Sequence, residues 1–84
     1  MNTSYFVIFE EKNDKDRYVF SSSNDRYAIE NLVYVWKKKR SKTPLYKGEL
    51  TNEHQADAVY AFVNEANRTG KFDKEKLENI LKHR

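Results

Sequence analysis

Six basic residues, Lys37, Lys38, Lys39, Arg40, Lys42 and Lys47, fall inside one eleven-residue stretch that holds no acidic residue. The chain as a whole carries a net charge of +3, and outside this stretch ten basic residues face thirteen acidic ones. The positive excess therefore sits in one segment, and the remainder is mildly acidic. Ammonium and guanidinium groups at this density can neutralise phosphates and release their counterions, or meet an acidic protein surface. Lys37 to Arg40 also stand where a helix would end, and cations there complement the helix dipole. Lys42 and Lys47 carry the charge further than dipole complementation requires.

A second pattern overlaps the first. Tyr27, Asn31, Tyr34 and Lys38 are spaced i, i+4, i+7, i+11, which aligns them along one side of a helix. Tyrosine and basic residues are common anchors of protein interfaces, and tyrosine can also stack on unpaired bases. Cover by another part of the same chain is the third way to account for two tyrosines on one stripe. The sequence thus predicts a partner-binding set of Tyr27, Asn31, Tyr34, Lys37, Lys38, Arg40 and Lys42. The alternative is a nucleic-acid patch of Lys37, Lys38, Lys39, Arg40, Lys42 and Lys47.

Catalytic and metal-binding patterns are weak by comparison. His54 falls in the first turn of a predicted helix and His83 beside the last residue, too far apart in sequence to suggest a metal pair. Ser21 to Ser23 have no base or orienting group nearby in sequence. Two glycines, Gly48 and Gly70, cannot make a phosphate-cradling loop. With no cysteine, a disulfide framework, a cysteine-zinc site and cysteine catalysis are excluded. We therefore expect no enzyme, no cofactor and no bound metal.

The elements that would position these residues follow from patterning. Eighty-four residues, 38 % apolar and 35 % charged, suffice for one small domain over residues 1–84, with the twelve aromatics supplying much of the burial. Tyr5 to Phe9 is aromatic and β-branched throughout, so it reads as a central strand covered on both faces. Glu10 to Asp16 is a polar turn around Asn13-Asp14; a divalent-cation loop is the alternative, though the glycine and terminal glutamate of an EF-hand are missing. Arg17 to Ser21 completes a hairpin. Ser21 to Asp25 offers caps for a helix running to about Arg40. On that helix Ala28, Ile29, Leu32, Val33, Val35 and Trp36 form the apolar face, and Tyr27, Glu30, Asn31, Tyr34, Lys37 and Lys38 the outer one. Leu32 to Trp36 alone would also suit a strand, but the caps and terminal lysines agree on a helix.

Pro44 is read as the stop, followed by a short edge strand, Leu45 to Leu50. A second helix runs from a cap at Thr51 or Asn52 to Arg68, burying Ala56, Val59, Phe62, Val63 and Ala66, and Gly70 closes it. A third opens at Asp73, with Phe72 and Leu77 spaced as a hydrophobic staple. The prediction is a small α+β domain in the order β-β-α-β-α-α. Its three-stranded, mostly antiparallel sheet carries helices packed on one face. Hairpin aromatics should meet Ile29, Leu32, Trp36, Val59, Phe62 and Val63 in one core.

No apolar run is long enough to cross a bilayer, and Met1 to Ser4 lacks the features of a signal peptide; a cytoplasmic location is expected. In its composition the chain is similar to small proteins encoded by phages and mobile elements, which are short, free of cysteine and rich in Lys, Tyr and Asn. That resemblance implies binding to, and blocking of, a host component. The expected function is a non-enzymatic protein that regulates or inhibits a macromolecular partner, most simply a protein with an acidic surface. A homodimer in which the partly apolar hairpin pairs with a second copy through an exposed edge is compatible with the same pattern.

Overall fold

The computed structural model describes residues 3–11, 17–38 and 42–82. The order is β1 (Ser4–Glu11), β2 (Tyr18–Ser23), α1 (Arg26–Lys38), β3 (Lys42–Leu50), α2 (Glu53–Thr69) and α3 (Lys74–Lys82). The strands form one antiparallel sheet in the order β2-β1-β3. The α+β class, the element order and the central place of β1 are as predicted. The Asn13-Asp14 turn and the last residues of the basic helix end, Lys39 and Arg40, lie outside the described residues.

The helices do not share one face. Successive side chains of a strand point to opposite sides of the sheet, and β1 is buried at Phe6, Val7, Ile8 and Phe9 alike. Phe6 and Ile8 point to one side and pack with Tyr18, Leu50, Val59, Phe62, Val63, Ala66 and Leu77. Val7 and Phe9 point to the other and pack with Ile29, flanked by Leu32, Val33 and Trp36. The sheet is thus the middle of three layers, with α1 on one side and α2 and α3 on the other. A strand that is apolar at every position requires this, because cover on one side would leave half of its side chains in water.

Local chemistry sets the helix ends. Asp25 Oδ1 accepts from the Tyr27 N–H at 2.9 Å and opens α1. Asn52 Oδ1 accepts from the Gln55 N–H at 2.9 Å, satisfying one of the orphan donors of α2. The Gln55 side chain accepts from Thr51 and donates to the Leu81 carbonyl at 3.1 Å, tying the start of α2 to the end of α3. Gly70 ends α2 at φ 75°, a left-handed conformation that costs glycine nothing. Asp73 Oδ1 caps α3 through the Lys76 N–H, and Phe72 and Leu77 on either side of that cap both join the core.

β3 is longer than predicted, beginning at Lys42 and running through Pro44. Its register against β1 shifts between Ile8 and Phe9, because Ile8 pairs with Tyr46 and Phe9 with Pro44. Leu45 is the extra residue of a bulge, and the insertion inverts which residues face which side. Lys47 and Glu49, opposite Val7 and Tyr5, share the α1 side with Pro44 and Lys42, opposite Phe9 and Glu11.

Candidate interaction face on the basic helix

Helix α1 packs across the sheet through Ile29, Leu32, Val33 and Trp36. Trp36 lies against Phe9 with ring centroids 4.3 Å apart, so it serves packing, as its place on the apolar face of the helix predicts. Two residues assigned to the apolar face do not belong there. Ala28 is exposed, and Val35 is 42 % exposed. A single helix lying on a narrow three-stranded sheet touches it along a strip, and the flanks of a six-residue face fall outside that strip.

The outer stripe is open. Tyr27 is 77 % and Tyr34 60 % exposed, and Asn31 and Lys38 are exposed beside them. Among the described residues no other part of the chain covers the tyrosines. Lys38 Nζ sits 4.4 Å from the Tyr34 ring centroid, one helical turn away, a cation–π arrangement that leaves both groups in water. Arg26 and Glu30 form an exposed i, i+4 ion pair at 3.3 Å near the start of the helix. Val35 adds apolar surface next to Tyr34, a contribution hidden in the sequence because its spacing matched the buried side.

The described members of the basic run do not form one continuous patch. Lys37 and Lys38 stand in the last turn of α1, exposed. Lys42 is half-buried, its ammonium 3.7 Å from the Trp36 ring centroid and 3.9 Å from Glu11 Oε2. The bulge makes this possible by turning Lys42 to the α1 side. Lys47 is exposed further along β3, opposite Val7 where Lys42 is opposite Glu11, so the two are about four strand steps or roughly 13 Å apart. The positions of Lys39 and Arg40 lie outside the described residues.

The groups whose titration is shifted belong to the other side of the molecule. Burial, and then the charge of Glu78, raises the Tyr46 phenol. A hydrogen bond from Arg68 lowers Glu65 and raises Arg68 in turn. Among the described residues no group of three or more His, Asp or Glu side chains is arranged to hold a metal ion. An open groove of about 220 Å³ runs between the start of α1 and β3, bordered by Tyr5, Arg26, Glu30, Lys47 and Glu49. No helix among the described residues is long and apolar enough to cross a membrane.

The arrangement defines a small three-layer α+β domain with one aromatic, basic helix face turned to solvent. No protein-family model matches the chain, and no match was found among curated proteins or solved structures.

Proposed function

We propose that this chain is a non-enzymatic binding protein that regulates or inhibits a protein partner through the outer face of α1. Tyr27, Asn31, Tyr34, Lys37 and Lys38 make the contact, with Val35 at its margin, and the partner presents a complementary acidic surface. One observation carries the reading. Of the four exposed large hydrophobic residues among those described, Tyr27, Tyr34 and Val35 lie on this one helix. Tyrosines held on a rigid helix offer large contact area at low entropic cost, the usual basis of interface hot spots. The nearby lysines steer an acidic partner toward them.

Nucleic-acid binding by Lys37, Lys38, Lys39, Arg40, Lys42 and Lys47 is less well supported, since Lys42 is engaged with Trp36 and Glu11 and Lys47 stands apart. Affinity capture from host lysate with the intact chain, Tyr34→Ala and the Lys37→Glu/Lys38→Glu pair separates the two. We expect Tyr34→Ala to weaken capture of a protein at least tenfold, about 1.4 kcal/mol, with unchanged circular dichroism. A mixed DNA and RNA gel shift should show no complex at low salt. A salt-sensitive shift that survives Tyr34→Ala and vanishes with the lysine reversals would replace this reading with the phosphate-binding one.

A further inference from the structure

Both outer strands of the sheet are edges, and the two are finished differently. On β2, the Asn67 side chain of α2 accepts from the Tyr18 N–H at 2.7 Å and donates to the Tyr18 carbonyl at 2.9 Å. The amide closes that position as a neighbouring strand would. The same contact fixes the direction of every main-chain group in the sheet. Tyr18 turns outward, and the Glu11 N–H donates to the Arg17 carbonyl at 2.7 Å, so the odd residues of β1 face β2. The even residues of β1 then face β3, and Leu50, Gly48 and Tyr46 receive their hydrogen bonds. Glu49 and Lys47 turn their N–H and C=O groups outward. Among the described residues nothing meets them.

The pairable stretch of this edge has definite limits. The Leu45 bulge and the outward-facing nitrogen of Pro44, which has no hydrogen to donate, end it on one side. The end of β3 at Leu50 closes it on the other. What remains is Tyr46 to Leu50, with Gly48 at its centre. We infer that this edge pairs antiparallel with the same edge of a second copy, about a two-fold axis through Gly48.

Charge selects that register. Centred on Gly48, Lys47 stands opposite Glu49 of the second copy and Glu49 opposite its Lys47, so both hydrogen-bonded pairs carry opposite charges on the α1 side. A slip of two residues in either direction sets Lys47 against Lys47 or Glu49 against Glu49. A lone lysine on an edge strand repels a second copy of itself; here Glu49, two residues on, makes one register attractive and its neighbours repulsive. Neither Lys47 nor Glu49 has an ion-pair partner within its own chain among the described residues. On the opposite side the central pair is glycine against glycine, with the Phe6 ring lying over Gly48. The result is a six-stranded sheet with both α1 helices on the same side, their outer faces exposed.

Five residues a side make a contact smaller than the standard protein interface of about 1,600 Å², so association should be weak and concentration-dependent. Sedimentation equilibrium of the full chain from micromolar to millimolar concentration tests it. Lys47→Glu alone and Glu49→Lys alone should each be monomeric throughout, with unchanged circular dichroism because both side chains are exposed. Their equimolar mixture should form a one-to-one heterodimer, and the double reversal Lys47→Glu/Glu49→Lys should recover self-association. Tyr34→Ala should leave all of this unaltered, which separates the dimer from the partner-binding face. A parent chain that stays monomeric at about 1 mM, or a Lys47→Glu variant that associates as well as the parent, overturns the proposal.

Discussion

The two sides of the sheet differ in how much they bury and in what they leave free. Among the described residues, the α2 and α3 side buries nine apolar residues and Gln55, which ties its helices together, and the helices are capped at Asn52, Gly70 and Asp73. The α1 side holds three, Val7, Phe9 and Ile29, with Leu32, Val33 and Trp36 partly covered. Burial of apolar area dominates folding stability, so the first side carries most of it. The second keeps a helix in place with a small contact and has most of that helix's surface to offer a partner. In a domain this small, a second packed layer on α1 would consume the very residues available for binding.

Substitutions can break or sharpen this contrast. Phe62→Ala, in the larger core, should cost about 3–5 kcal/mol, enough to threaten folding of a small domain, and urea denaturation should show it as a large fall in midpoint. Ile29→Ala should cost less, roughly 2 kcal/mol at the low end for such truncations. Its signature is local: amides of α1 should exchange with solvent faster while those of α2 keep most of their protection. Equal loss of protection in both helices would mean that the two sides do not differ as described. Gly48→Ala comes next. A Cβ there would stand 2.8 Å from Phe6 Cε1, so the ring must move within the larger core, at about 1.5 kcal/mol. A thermal midpoint unchanged by this substitution would show that the ring has room to spare. Asn67→Ala, which strips two hydrogen bonds from an edge that water can reach, should cost about 1 kcal/mol, and Tyr18 amide exchange should accelerate most.

Much of this was readable from residue types, and the failures have physical causes. The caps at Asp25, Asn52 and Asp73 and the glycine stop at Gly70 are local chemistry, and local chemistry is written in consecutive residues. The placement of helices on one face went against the chain's own signal: five apolar residues in a row, Tyr5 to Phe9, already demanded cover on both sides. Val35 and Ala28 were assigned to the core because periodicity gives direction and not the width of the contact. Pro44 reads as a stop because proline and the residue before it disfavour a helix; on an outer strand its nitrogen faces away from the ladder and nothing is lost, so the edge strand starts two residues before it. The bulge at Leu45, which brings Lys42 under Trp36, leaves no mark in the sequence. For that reason the sequence suggests one basic patch, whereas Lys42 is drawn in beneath Trp36 and Lys47 stands apart from the end of α1. The tyrosine stripe was legible from spacing alone, since it depends only on the helix being a helix.

The Asn67 amide has a consequence for the chain as it is made. It is supplied 49 residues after the strand position that it closes. At a synthesis rate of about 5–20 residues per second, the hairpin waits roughly 2–10 s before its stopper exists. Until then the Tyr18 N–H and C=O lack the partner that the finished fold gives them. A chain that stalls before α2 would keep that opening for good.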